Sequence, residues 1–357
     1  MKKREVKGIR IREVKGIRIR EVKGIRIREV MMMLVMVVMM GCNSGGVRDP
    51  EKVFLSEMVN LGKGFLDVFV SFGDMITGTL GIKAETKKSE IGGYFGKIAE
   101  TMKEVRGKLG KILEENGNYP KVKEKVEEFI GKISKIEEGA KEAASGAIGD
   151  VIGNAKKGED ASPAEAGSVN KLVKGIKEMV EVVLKNGEGD PNATKTGETE
   201  QKSIGKLLGT NAADGTETQA AAASATIGAV SGADILRAIA SSSEVVNNEV
   251  QIDQANNAAE IAAAKKEAKE FKGGHKDTVI AAGIALRGMA KDGKFVAKTG
   301  EDKSAFAING AVASAVNKVL STLTIAIRNR VDEGLKEINK VLGEIKQGEG
   351  SVAKINE

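Results

Sequence analysis

From residue 50 onward, apolar side chains recur at spacings of three and four, the period of an α-helix with one buried face. Asp49-Pro50-Glu51 supplies an N-cap acid followed by proline at the first helical position. Val53, Phe54, Met58, Leu61, Phe65, Val68, Phe69 and Phe72 then fall on one face. Tyr119-Pro120 opens a second predicted helix, with Val122, Val126, Ile130, Ile133 and Ile136 on one side and Lys and Glu on the other. Ser162-Pro163-Ala164-Glu165 has the residue types of a capping box and predicts a third start. The longest pattern closes the chain: Ile308, Val312, Val316, Val319, Leu323, Ile327, Val331, Leu335, Ile338, Leu342 and Ile345. Every step is three or four, which predicts a helix of about ten turns, long enough to be the spine of a bundle.

Between these patterns lie stretches rich in Gly, Asp, Thr and Asn without hydrophobic period, at 153–161, 186–202, 209–218 and 292–303. They read as exposed loops. No stretch after the N-terminal region alternates with period two, so no sheet is assigned. The expectation is an all-α fold: an elongated helical bundle with long N- and C-terminal helices and exposed loops.

Composition adds an asymmetry. Of 11 aromatic residues, eight lie between Phe54 and Phe129 and three at Phe271, Phe295 and Phe306, with none from 130 to 270. Large side chains dominate core energetics. The best-anchored body is therefore expected from the two ends of the chain, with a middle that packs small residues and tolerates substitution more easily.

The formal charge of +6 points at first to nucleic acid or an anionic membrane. Its position along the chain changes that. Residues 1–30 hold five Lys and seven Arg against four Glu, so the remainder of the chain is slightly acidic, at −2. The same thirty residues repeat Arg-Glu-Val-Lys-Gly-Ile-Arg-Ile three times from Arg4, a period of eight that fits neither solenoid units nor heptads. The repeat reads as a tandem duplication, and its Glu residues and lack of aromatics weaken a nucleic-acid-binding arm.

An uncharged run, 30–41, follows the basic stretch. At about 1.5 Å per residue it is well short of the roughly 30 Å hydrocarbon core. A basic region, a short apolar run and small residues form a secretory signal peptide. Directly after Gly41 stands Cys42, the only cysteine, followed by Asn43-Ser44-Gly45-Gly46. This arrangement is similar to a bacterial lipoprotein signal, which implies lipid attachment at Cys42, cleavage before it and a polar tether. A buried free thiol is the alternative. Two or three acyl chains hold a protein stably on a membrane without a basic patch. The expected organisation is a signal peptide with the octapeptide repeat over 1–41, a lipidated tether over 42–49 and a single helical domain over 50–357.

Candidate chemistry is sparse. His275 is the only histidine, which excludes a multi-His metal site and leaves any Ser-His-Asp triad resting on one residue. A solvated polar side chain beside a glycine turn is the reading taken. No phosphate-binding loop motif or dinucleotide fingerprint is present, and Gly92-Gly93 and Gly273-Gly274 read as turns or helix ends. Glu114-Glu115, Glu127-Glu128 and Glu137-Glu138 sit among lysines and read as solvated faces with ion pairs one turn apart. Asn192-Ala193-Thr194 matches a glycosylation sequon that a bacterial lipoprotein would not normally use. No catalytic residue, cofactor site or metal site is assigned.

Four segments carry a resemblance: Cys42 to Gly46; 60–69 (NLGKGFLDVF) continuing to 81–88 (GIKAETKK); 116–123 (NGNYPKVK); and 276–295 (KDTVIAAGIALRGMAKDGKF). The chain resembles the variable large proteins, antigenic-variation surface lipoproteins of relapsing-fever spirochaetes. The fourth segment is similar to an invariable stretch of the related variable surface antigen of Lyme spirochaetes, and 311–343 is similar to the family's C-terminal helix. The octapeptide repeat departs from the family's short basic leader. The resemblance implies an all-helical, elongated domain with both chain ends near the membrane and variable loops outward. It also implies an outer-surface lipoprotein, not an enzyme, lipid-anchored in the outer membrane through Cys42, that mediates antigenic variation and evasion of host antibodies. The partners implied are the outer membrane and host antibodies, without nucleic acid; a homo-oligomer is compatible. An adhesin or host-ligand-binding lipoprotein is the alternative function.

Overall fold

A computed structural model of the chain describes residues 81–116 and 120–352. Cys42, the octapeptide repeat, the predicted helix over Val53 to Phe72, and Tyr119 lie outside the described residues. The described residues form nine α-helices and one 3-10 helix, with no β-strand among them beyond three isolated bridges. In chain order the helices are α1 (Lys88–Asn116), α2 (Pro120–Gly146), α3 (Ala166–Val183), α4 (Glu198–Ser203), α5 (Glu217–Ala229), α6 (Gly232–Ala240), α7 (Ala258–Ala263), α8 (Asp277–Met289) and α9 (Ser304–Val352). The 3-10 turn Ile204–Leu208 follows α4. The all-α expectation holds.

Three long helices pack in sequence, α1 on α2 and α2 on α3. On α2 the buried face is Val122, Val126, Phe129, Ile133 and Ile136. Phe129 takes the place expected of Ile130, which is half-buried, because its ring lies where any side chain on Gly334 of α9 would sit. The α2–α3 crossing is tight: Gly139 and Gly175 face each other, and a Cβ at Gly139 would come within 2.6 Å of the Gly175 carbonyl oxygen. Absence of side chains is what lets these backbones meet.

The predicted C-terminal spine is present. In α9, Ile308, Val312, Val316, Val319, Leu323, Ile327, Val331 and Ile338 are buried, while Leu335 is half-buried. Each buried aliphatic side chain contributes about 1.5–3 kcal/mol by removal from water. Its stretch Ser304–Ile338 is long and apolar enough to cross a bilayer by length and composition, but most of it is buried within the fold against α2, α3, α5, α6 and α8. Polar groups tie it down: Lys318 donates to the carbonyls of Ile227 and Val230 at the C-terminal end of α5, at 2.6 and 2.7 Å. Arg330 donates to Val182 O of α3 at 2.7 Å.

Two helix starts differ from the reading of the sequence. Ser162 does not cap α3, which begins at Ala166 with Glu165 at the N-cap and no side-chain cap bond. Instead the backbone of Ser162 exchanges hydrogen bonds with Lys294 in a short antiparallel bridge. The capping boxes form elsewhere, at Thr216 with Gln219 for α5 and at Ser231 with Asp234 for α6. Gly92-Gly93 is neither a turn nor a helix end but lies inside α1, where Gly92 abuts the carbonyl of Ala147.

The middle of the chain is small but not loose. Ala220, Ala223, Ala259, Ala262, Ala263 and Ala264 are completely buried, so alanine there is the contact residue of a close-packed layer. The four loop stretches are exposed in part only. Residues 186–200 are largely exposed, whereas Phe295, Val296 and Ala297 of 292–303 are inaccessible to solvent.

Candidate functional site

The candidate lipid-attachment residue, Cys42, lies outside the described residues, so the functional geometry on view is that of the exposed segments and what holds them. That geometry centres on α8, within the 276–295 segment. Every α8 residue except Val279 is buried, and a helix apolar all round belongs in a core. Three polar side chains break that pattern, Asp277 and Thr278 at the start and Arg287 near the other end.

Asp277, at the start of α8, is fully buried. Its carboxylate accepts from the backbone N–H groups of Lys195 and Thr196 at 2.6 and 2.8 Å, from the Thr196 hydroxyl, and from Gln201 Nε2 at 2.9 Å. Burial on its own raises the pKa, but these donors outweigh it and hold the group below the usual carboxylate range. Thr278 adds a bond from Oγ1 to Pro191 O at 2.5 Å and from its N–H to Ala193 O at 3.3 Å. The backbone of residues 191–201 is thus gripped from beneath while Asn192, Thr194, Lys195 and Glu198 to Glu200 face solvent.

Arg287, near the other end, is completely buried and has no carboxylate partner among the described residues. Its guanidinium donates to the carbonyls of Lys294 (3.1 Å), Ala262 (3.1 Å) and Ala264 (3.0 Å), and its carbon lies 5.8 Å from the Phe295 ring centre. Burial lowers its pKa to about 9, so it remains charged at neutral pH. Lys88 of α1 is also buried and donates to Ala290 O and Gly293 O, both at 2.6 Å. Burial, with Arg287 nearby, lowers its pKa to about 7.

A second grip holds the preceding turn. Arg237 of α6 donates through Nε to Glu188 O at 3.0 Å and through Nη2 to Lys185 O and Leu184 O at 2.8 and 3.3 Å. Neither Asp277, Arg287 nor Arg237 is singled out by its sequence motif. A trace does exist for Arg287: no acid stands three or four residues away, so a surface ion pair on its own helix is ruled out.

The sequence-assigned candidates resolve differently. His275 is not simply solvated: its ring meets the edge of Phe271 at 5.3 Å, and Nε2 is buried without a hydrogen-bond partner among the described residues. Burial, then Lys272, lowers its pKa. Gly274, with φ of +90°, does form the expected turn. Glu127 and Glu128 are exposed and paired with Lys123, Lys125 and Lys132 as expected. Glu137 is not: it is buried and bridges Arg106 of α1 at 3.0 Å and Lys141 of α2. Among the described residues no group of three or more His, Cys, Asp or Glu side chains is placed to hold a metal ion.

The model of the family described as Borrelia lipoprotein matches residues 65–342. Variable large protein 17 of Borrelia hermsii is 57% identical over 333 residues, covering 90% of this chain and 93% of the relative. Variable large protein 4 of the same organism is 52% identical over 336 residues, covering 90% and 94%. Among solved structures, the Lyme disease variable surface antigen VlsE of Borrelia burgdorferi matches with a TM-score of 0.67 and 34% identity, covering 81% of this chain and 98% of that one. A family match across most of the described helices, with relatives of this identity over nearly their whole length, shows that the chain belongs to the Borrelia lipoprotein family of variable large proteins, relatives of a helical variable surface antigen.

Proposed function

We propose that this chain is an outer-surface lipoprotein, anchored in the outer membrane through acylated Cys42, that varies its exposed loops so that host antibodies raised against one version miss the next. In this reading the leader 1–41 is removed, 42–49 is the tether, and the helical domain works as a non-enzymatic display scaffold. The observation that supports it is the construction of residues 184–201. Their backbone is held by the buried Asp277 and Thr278 of α8 and by the half-buried Arg237 of α6, while most of their side chains point to solvent. Side chains can then change with little loss of stability, since surface substitutions are usually within about 0.5 kcal/mol.

The test uses spirochaetes expressing the chain, a Cys42→Ala variant, and a version with the exposed side chains of 192–200 replaced. Wild type should take up labelled palmitate, enter the detergent phase and be shaved from intact cells by protease; Cys42→Ala should do none of these. Antibodies raised against wild type should lose most of their binding to the replaced version while its unfolding transition stays put. Palmitate uptake by Cys42→Ala would overturn the anchor. Undiminished antibody binding, with saturable capture of a host protein by both versions, would instead favour an adhesin.

A further inference from the structure

The chain contains three Asn-Gly pairs, at Asn116-Gly117, Asn186-Gly187 and Asn309-Gly310. Asn-Gly is the dipeptide in which an asparagine side chain is most open to attack by the following backbone nitrogen, because glycine presents no side chain to hinder it. Whether it reacts depends on the freedom of both groups, and the fold treats two of these pairs in opposite ways. Gly117 lies outside the described residues, so the comparison rests on the other two.

Asn309 is held. Its Nδ2 donates to Ala155 O at 3.1 Å and its Oδ1 accepts from Ala155 N at 2.9 Å. Gly310 is inside α9, where a backbone N–H is taken by the carbonyl four residues earlier. The side chain cannot swing onto the backbone without breaking both bonds, and the attacking nitrogen is already engaged.

Asn186-Gly187 is the reverse. The pair occupies the two central positions of a turn closed by Glu188 N to Lys185 O at 3.0 Å, and Gly187 has φ of +79°, the left-handed value glycine adopts freely. Both residues are exposed. Neither the Asn186 amide nor the Gly187 N–H has a hydrogen-bond partner among the described residues. Open space surrounds the position a Gly187 Cβ would take. The flanking carbonyls of Leu184, Lys185 and Glu188 are pinned by Arg237, so the turn stays on the surface and does not fold away.

We propose that Asn186-Gly187 is a site of spontaneous covalent modification in the folded protein. The Gly187 backbone nitrogen gives up its proton and bonds to Asn186 Cγ. The Cγ–Nδ2 bond breaks and ammonia leaves, forming a five-membered succinimide. Solvent water then opens either ring carbonyl, giving an aspartyl or an isoaspartyl linkage at this position. No oxidant or further reactant is needed. The product carries one new negative charge on the exposed turn, and its isoaspartyl form inserts a methylene into the backbone that Arg237 grips. The modification depends only on this local geometry, whatever the function of the surface.

The folded full chain is incubated in neutral buffer at physiological temperature and digested at intervals. The peptides holding Asn186 and Asn309 are then followed by mass spectrometry and isoaspartyl methyltransferase labelling. The Asn186 peptide should gain about one dalton and become a methyltransferase substrate. It should do so at least about tenfold faster than the Asn309 peptide, since a factor of ten needs only ~1.4 kcal/mol and freeing Asn309 means breaking two hydrogen bonds and a helix turn. In urea the two rates should converge, and raising the pH should speed the folded-state reaction. An Asn186→Ala variant should lose the label with an unchanged unfolding transition. Equal rates at the two sites in the folded protein would overturn the proposal. So would an Asn186 peptide that stays unmodified while folded but reacts in urea.

Discussion

Arg287 illustrates how much one residue decides. Its guanidinium gives Ala264 O a donor that no other group among the described residues supplies. Ala262 O and Lys294 O each keep a second partner, from the N–H groups of Ala164 and Ser162. Arg287→Met removes the buried charge but leaves a buried carbonyl unpaired, and should lower stability by about 2–4 kcal/mol in urea unfolding followed by circular dichroism. Arg287→Lys should recover less than half of this, because one ammonium cannot reach carbonyls on both sides of a planar fork. Single residues were the least legible level in the sequence. Glu137 and Glu127 both stand in Lys/Glu-rich helix surroundings, yet only Glu137 is buried, because α1 brings Arg106 against that side of α2. His275 beside two glycines suggests a solvated ring, and the edge of Phe271 makes it half-buried.

At the level of elements, periodicity located helices well wherever one face met a core. The stripe of α9 from Ile308 to Val331 and most of the stripe of α2 are buried as their spacing requires, while the side chains of Leu342 and Ile345 lie outside the described residues. Helix boundaries were read less well, since a capping motif works only if the chain turns there. Ser162 carries the right residue types but is taken up by its bridge to Lys294. Glycines inside helices need a neighbour to explain them, and Gly92 and Gly93 make this testable. A Cβ on Gly92 would run into the carbonyl of Ala147, whereas one on Gly93 meets nothing within 4 Å. Gly93→Ala should therefore raise stability by about 0.5–1 kcal/mol through helix propensity. Gly92→Ala should lower it by about 1–3 kcal/mol despite the same gain, because backbone must move to make room. Thermal unfolding of the two single variants, side by side, checks the opposite signs.

Across the whole molecule, contacts between distant parts of the chain set the pH response. Lys88 begins α1 yet donates to carbonyls 202 and 205 residues away. Its folded pKa of about 7 lies below its ordinary value of 10.5. Between those limits the unfolded chain binds the proton and the folded chain does not, so stability rises with pH over that window, by at most ~1.4 kcal/mol per pH unit from one group. Below pH 7 both states are protonated and the cost of the buried charge is felt in full. Unfolding free energies of wild type and Lys88→Met across pH 6 to 10 should therefore differ in slope, with the variant flatter above neutrality.

The sequence by itself determined the helical class, the C-terminal spine and the confinement of the net positive charge to residues 1–30. These follow from local periodicity and composition, which need no knowledge of neighbours. Tertiary structure alone decided that Ala-rich stretches and part of 292–303 are core, that Asp277, Thr278 and Arg237 hold the exposed turns, and which of the two described Asn-Gly pairs is left free. Burial and hydrogen bonding belong to pairs of residues far apart in the chain, and only the fold brings those pairs together.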